Sequence, residues 1–347
     1  MASLKVTILH DTWEEGPPEP EPEPVKAPRG QKGAVRRKKP VPLHDREEIF
    51  EALTRLGHVP SYHVLDGKNQ SLLALARCGA DLVFNLTESY AGDDTMDRNI
   101  AAYLDLLHLP YTGGGPQALY LAQDKSIAKK IFDFHKIKTP DFAISYKGRT
   151  EHAHDIEFPL IVKPVSEDGS IGIDAGSFVE SVKELMERID YIHEEFDSPA
   201  LIEEYIDGRE IYAAILGNEN AEVLPLIELD LSKLPKGTPR IAGQDVKFDQ
   251  EAEAFKVTKS APAENLDEET TKELQDTALA AYRALKLRDY GRVDMRLNKK
   301  GQVYVIEANP NPWLASAAEF TMAAKKGGYS YTSLIERIVE LVRARTA

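Results

Sequence analysis

The sequence predicts an α/β protein in which an N-terminal parallel sheet, covered by helices, is followed by two further modules. Three observations carry this reading. Strand and helix patterns alternate from Leu4 to Tyr111, the βαβ rhythm of a parallel sheet. Apolar strand runs then recur between helical segments, ending in the amphipathic "YTSLIERIVELVRAR". Finally, "GRVDMRLNKKGQVYVIEAN" sets two apolar strands around a Lys-Gly turn, a β-hairpin pattern. The expected units are residues 1–111, 112–198 and 199–347.

The elements follow in order. "LKVTIL" reads as a buried strand. Directly after it, Glu14 to Pro42 hold eight of the chain's 21 prolines and almost no large apolar residues. Such a stretch cannot bury enough surface to offset chain entropy, so a disordered insertion is expected, acidic and stiff in its first half and basic in its second. "DREEIFEALTRLG" predicts a helix with Ile49, Phe50, Leu53 and Leu56 on one face and Gly57 as its stop. "ADLVFNL" is a second buried strand, with a helix near Met96 to Leu107 behind it. "AQDKSIAKKIFDF" starts a helix at about Asp124, with Ile127, Ile131 and Phe134 inward. The third unit opens with the strands "ALIEEYI" and "EIYAAILGN" and contains a helix near Leu266 to Leu287.

Composition narrows the function. A chain of 347 residues, 42% hydrophobic and 29% charged, has the make-up of an ordinary soluble enzyme. No apolar run approaches membrane-spanning length, and the start is too short and strand-like for a signal peptide. A lone Cys78 allows no internal disulfide, and a cytoplasmic location is expected. The net charge of −14 argues against nucleic acid, which demands a clustered excess of Lys and Arg. His152 and His154 read as loop residues, and no Cys-x-x-Cys zinc spacing exists.

Chemistry gathers at the hairpin. With Lys300 and Gly301 as a two-residue turn, Asp294 falls opposite Glu307, and Asn309 lies two residues on, on the same face. Opposed carboxylates repel unless a cation lies between them, and hard oxygen ligands suit Mg²⁺. A solvent-facing acidic pair is the plain alternative. Two lysines favour the metal. Lys163 lies inside the apolar strand "FPLIVKPV", where its charge needs an anion. Lys125 falls in the first turn of its helix, where the dipole disfavours a cation unless an anionic ligand is present. The loop "SEDGSIGID", with glycines around Ser170, would let backbone N–H groups approach phosphate oxygens.

The order of motifs resembles the ATP-grasp superfamily, specifically its D-alanine–D-alanine ligase branch. The matching pieces are "LPYTGGG", "QDKSIAKKIF", "FPLIVKPVSEDGSIGI", "LIEEYIDGREIYAAILGN", "LPLIEL", "APAENL" and "GRVDMRLNKKGQVYVIEANPNP". They cover nearly everything from Asp81 to Pro312. The resemblance implies an α+β ATP-grasp module with roles for specific residues. Lys125 and Lys163 would hold ATP phosphates, with the loop around Ser170 closing over them. Glu203, Glu204, Tyr205 and Ile206 would form the adenine hinge, and Glu210 would take the ribose hydroxyls. Asp294, Glu307 and Asn309 would hold two Mg²⁺ ions, with Mn²⁺ as a substitute, and Arg292 would face the reacting carboxylate. The implied reaction joins a carboxylate to an amine through an acylphosphate, with amino acids as small-molecule substrates, in peptidoglycan biosynthesis. Homodimerisation is implied in the same way.

The sequence also departs from the branch. The glutamate that grips the first substrate's ammonium in the ligases has only Glu14 or Glu15 to answer it, in a shifted register; Glu15 is the candidate. The ligases' "GSS" run leaves only Ser170 here. Where the ligases present a Lys-Tyr pair on a flexible loop, this chain reads "VKFDQEAEAFKV", with Glu253, Ala254 and Phe255 near those places. After Glu-x-Asn the chain reads "PNPWLASAAEF", with Trp313 in place of a glycine and Ala318 near a serine that binds the second substrate's carboxylate. The phosphate and metal machinery is therefore expected, with altered amino-acid pockets. The rivals are a ligase for other amino acids and a nucleotide-binding scaffold without turnover.

Overall fold

The computed structural model describes residues 3–12, 45–152, 156–165, 170–247 and 252–346, so the expected insertion at 14–42 lies outside the described residues. The chain starts with β1 (Lys5–Asp11), α1 (Asp45–Arg55), β2 (Val59–Leu65), α2 (Asn69–Leu75), β3 (Leu82–Asn85) and α3 (Asp97–Leu106). The three strands are parallel, in the order β2-β1-β3. The central β1 buries Val6, Ile8 and Leu9, because a parallel sheet is covered on both faces. Ile49 and Leu53 of α1 are buried as expected, Phe50 and Leu56 pack at the rim, and Gly57 follows at φ +80°. The sequence reading does not find β2. It is an edge strand, "VPSYHVL", buried only at Leu65, so it lacks the apolar signal.

Two short helices come next, α4 (Pro116–Gln123) and α5 (Lys125–Phe134). Asp124 separates them. Its carboxylate accepts hydrogen bonds from the Ser126 and Ile127 N–H groups, both at 3.0 Å, and so caps α5. The inward face of α5 differs from the expected one. Lys125, Ser126, Ala128, Lys129 and Phe132 are buried, whereas Phe134 is 79% exposed. The helix is turned so that two lysines, four residues apart, face carboxylates.

The second sheet is built from β4 (Phe142–Tyr146), β5 (Arg149–His152), β6 (Leu160–Pro164), β7 (Phe178–Val179) and β8 (Ala200–Glu204), with α6 (Val182–Glu195) packed against it. Its antiparallel order is β5-β4-β8-β6-β7. The strand β8, expected to open the third unit, lies in the middle of this sheet. The change of sheet falls between β8 and the next strand.

The third sheet contains β9 (Gly208–Leu216), β10 (Glu222–Val223) and β11 (Ile227–Asp230), and after α7 (Gln244–Lys247) and α8 (Glu253–Val257) comes β12 (Lys259–Pro262). The helix α9 (Glu268–Ala284) leads to β13 (Tyr290–Asn298) and β14 (Val303–Asn309), and α10 (Glu319–Lys326) and α11 (Tyr331–Thr346) follow. The order is β12-β11-β9-β13-β14, with β10 beside β9. Both faces of β9 are buried. Ile211, Ala213 and Ile215 share one core with α4, α5 and α9. Tyr212, Ala214 and Leu216 share another with α10, α11, α1 and the N-terminal sheet. One continuous apolar core thus joins the first and third sheets.

The hairpin has a different turn from the expected one. Leu297 pairs with Val303, so Lys299 to Gln302 lie in a longer loop between Asn298 and Val303. That register, continued inward, would place Asp294 opposite Ile306. A β-bulge after Asp294 takes up Ile306 as an extra residue, and Asp294 then pairs with Glu307 and Arg292 with Asn309. The opposition of Asp294 and Glu307 therefore arises from the bulge and not from a tight turn.

Candidate active site

The site forms where α5 crosses between the second and third sheets. Lys129 of α5 and Lys163 of β6 both ion-pair with Glu203 of β8; the Lys163 Nζ lies 2.6 Å from its Oε2. All three side chains are almost fully buried. Burial would raise the Glu203 carboxyl, but the two lysines hold it below its usual range. Burial and the neighbouring Lys163 act together against the Glu203 charge, and Lys129 is lowered to about 8. One turn earlier, the buried Lys125 places its Nζ 3.7 Å from Glu307. Among the described residues, two buried lysines, Lys129 and Lys163, thus converge on one carboxylate, an arrangement suited to a polyanion.

The acidic edge is equally constrained. Arg292 donates from Nε and Nη2 to the two Asp294 oxygens at 2.7 and 2.8 Å, a bidentate pair. Its third nitrogen, Nη1, lies 3.6 Å from Glu319, and its Cζ lies 4.9 Å from the centre of the Tyr212 ring. Burial works to raise Glu307, yet Lys125, Lys247, Lys163 and Arg292 bring it down to about 2, so it is ionised at any physiological pH. The amide nitrogen of Asn309 is buried without a hydrogen-bond partner among the described residues. No cluster of three His, Cys, Asp or Glu groups among the described residues could hold a metal alone. Two facing carboxylates and an amide fit Mg²⁺ instead, because that ion takes one or two carboxylates and completes its shell with phosphate oxygens.

The other expected residues fall around this centre. Glu210 is buried, paired through Oε2 with Arg296 at 2.7 Å and accepting from the Tyr212 hydroxyl at 3.1 Å. At the hinge, the Glu204 N–H donates to Asp141 O and the Tyr205 N–H to Pro159 O. Ile206 is buried beside them. Ser170 adopts φ +61°, and its hydroxyl donates to the Ala242 carbonyl at 2.9 Å, which ties this residue to the segment before α7. Glu15 lies outside the described residues.

The loop after β14 is fixed by the N-terminal part of the chain. The Gly114 N–H donates to Asn311 Oδ1 at 2.8 Å, and a Cβ on Gly113 would lie only 2.1 Å from that same oxygen, so the "GGG" run is required by close approach. The Ser316 N–H donates to Glu48 of α1 at 2.7 Å. Trp313, between these contacts, is half exposed.

The sequence reading missed two residues. Lys129 was hidden by an assumed apolar phase for α5, although its spacing of four from Lys125 places both on one helix face. Lys247 lies on α7 with Nζ 5.5 Å from the centre of the Tyr212 ring, and its charge acts on Asp294, Glu307 and Glu319. The segment carrying it was read only by the residues near Glu253.

Comparison with known proteins identifies the family. The family model described as D-ala D-ala ligase C-terminus matches residues 125–340. An uncharacterised protein, y4sG of Sinorhizobium fredii, is 36% identical over 264 residues, 76% of this chain and 75% of its own length. The D-alanine–D-alanine ligase of Cupriavidus pinatubonensis is 32% identical over 281 residues, 80% of each chain. The fold is that of the Bacillus anthracis D-alanine–D-alanine ligase crystallised with ATP, at a TM-score of 0.70 and 22% identity over 99% of each chain. No helix among the described residues is long and apolar enough to cross a membrane. The chain belongs to the D-alanine–D-alanine ligase family of ATP-grasp enzymes and is an ATP-dependent ligase.

Proposed function

We propose that this enzyme joins two amino acids, with ATP and Mg²⁺, through an acylphosphate. The observation that carries the reading is the convergence of two buried lysines, Lys129 and Lys163, on the single carboxylate of Glu203, beside the opposed Asp294 and Glu307. Lys125 and Lys163 would hold the nucleotide phosphates, with Lys129 beside them sharing Glu203 with Lys163. Asp294, Glu307 and Asn309 would hold two Mg²⁺ ions. When bound, the metal would neutralise the phosphate oxygens so that a carboxylate can approach them. Arg292, aligned by Asp294, would stabilise charge on the reacting carboxylate. A donor carboxylate oxygen attacks the γ-phosphorus and the bond to ADP breaks. The acceptor nitrogen then forms the C–N bond, the C–O bond to phosphate breaks, and inorganic phosphate leaves as the nitrogen loses a proton. Ser170 and the loop around it would close over the phosphates, Glu203 to Ile206 would line the adenine edge, and Glu210 would meet the ribose.

D-alanine as both substrates would place the enzyme in peptidoglycan biosynthesis, in the cytoplasm and without nucleic-acid or membrane partners. The test is ADP release with Mg²⁺ across a panel of D- and L-amino acids, singly and in pairs. Release stimulated by one amino acid or one pair is expected. Intact nucleotide binding with no stimulated release by any amino acid overturns the reading.

A further inference from the structure

Lys247 is the last residue of α7, and the segment leading to it is pinned from two sides. Arg296 of β13 donates from Nη2 to the Arg240 carbonyl at 2.6 Å, and the Ser170 hydroxyl donates to the Ala242 carbonyl at 2.9 Å. Val246 is buried in the core that also holds Leu229 and Phe320, and the Lys247 N–H donates to Gly243 O at 3.1 Å. The backbone that carries this lysine is therefore fixed. The Tyr212 ring shows where its side chain lies. That ring is buried, its hydroxyl donates to Glu210 at 3.1 Å, and its backbone pairs with Asp294. Lys247 Nζ lies 5.5 Å from the ring centre and Arg292 Cζ 4.9 Å. A nucleotide with its ribose at Glu210 and its metal at Asp294 carries its phosphate chain between those two residues. Lys247 stands beside the ring that spans them.

We propose that Lys247 is a further phosphate-binding residue, meeting the nucleotide's phosphate chain from the third-sheet side while Lys125 and Lys163 meet it from α5 and β6. This rests on the ligase reading above. The side chain is half-buried and makes no ion pair with a described carboxylate. Its charge nevertheless reaches the acidic edge. Among the cations that bring Glu307 down it comes second only to Lys125, ahead of Lys163 and Arg292. An aromatic face holds an ammonium loosely, and the flexible four-carbon stem of lysine lets that ammonium swing to a phosphate oxygen. The plain alternative is that Lys247 only softens the repulsion between Asp294 and Glu307. In that case it is redundant once Mg²⁺ sits on the edge, and there it repels the ion. The two roles therefore predict opposite effects of removing the charge.

The experiment compares the wild type with Lys247→Met, using calorimetry for Mg-ADP and for Mg-AMP-PNP, a non-hydrolysable ATP analogue. Adenosine, which has no phosphate, is read by competition. Both nucleotides should bind about tenfold or more weakly to the variant, as befits the loss of a charge-assisted contact, while adenosine binds unchanged. Lys247→Gln repeats the measurement if the first variant folds poorly, with the melting temperature as the check. Nucleotide affinity that is unchanged or tighter overturns the proposal and leaves Lys247 as a neutraliser of the acidic edge. An equal loss for adenosine and both nucleotides also overturns it, because a distorted pocket then explains the result. In either case the ligase reading stands. Wild-type protein that binds none of the three overturns that reading and this proposal together.

Discussion

Two buried charge clusters in this molecule look alike and differ in balance. At Asp289, fully buried, the carboxylate is met by Arg345 at 3.0 Å, by the Asn218 amide and by the Gly113 N–H, a closed network at the junction of the first and third sheets. At Glu203, two lysines converge on one carboxylate, and a third lysine stands by Glu307. The first cluster is complete without a ligand. The second sets two cations on one anion among the described residues, in a place where desolvated charge is costly. The difference separates an architectural ion pair from the cluster proposed to meet the nucleotide's phosphates.

The comparison can be broken at several points. Glu307→Gln should have the largest effect, a fall in ADP release of about 10³-fold or more with an unchanged circular dichroism spectrum. Unaltered turnover would remove the metal edge from the site. Lys129→Met should lower kcat/KM for ATP by about 10²-fold, while the melting temperature holds or rises because a desolvated cation has gone. A large loss of stability in that variant would make the cluster architectural after all. Arg345→Ala should do the reverse, costing about 3 kcal/mol in urea unfolding and leaving turnover per folded molecule unchanged.

The smallest effect concerns protons. The Lys129 ammonium, lowered to about 8, is protonated in the unfolded chain up to its ordinary value near 10.5. Between those two values the unfolded state binds more protons, so this group's contribution makes the nucleotide-free protein more stable as pH rises through the window. Bound phosphates would favour the charged form and draw a fraction of a proton back at pH 8.5. Calorimetry of ATP binding in buffers of differing ionisation enthalpy would detect that uptake, and its absence in Lys129→Met would assign it.

Much of this was legible in the residues themselves. The N-terminal alternation and the terminal helix are found where periodicity puts them, because they follow from local pattern. The phase of α5 was not legible: Ile127, Ile131 and Phe134 form as good an apolar stripe as the one that is buried. Carboxylates supplied by distant strands decided which side turned inward. The Glu203–lysine pairing joins three elements far apart in sequence, and no local window contains it. Even the correct pairing of Asp294 rested on two compensating errors, a turn too short and a bulge unseen. The bulge did leave a trace. Val303 and Val305 face the core, and strict alternation would have sent Glu307 in with them.

That extra residue, Ile306, separates the far end of the hairpin from the end that carries chemistry. Evolution or an engineer could trim matched pairs of rungs, or recast the loop at Lys299 to Gln302, and the acidic edge would keep its aim. Deleting Ile306 alone would rotate the edge into hydrocarbon. In such a design, a single insertion sets the orientation of the ligands, and the loop beyond it is free to drift.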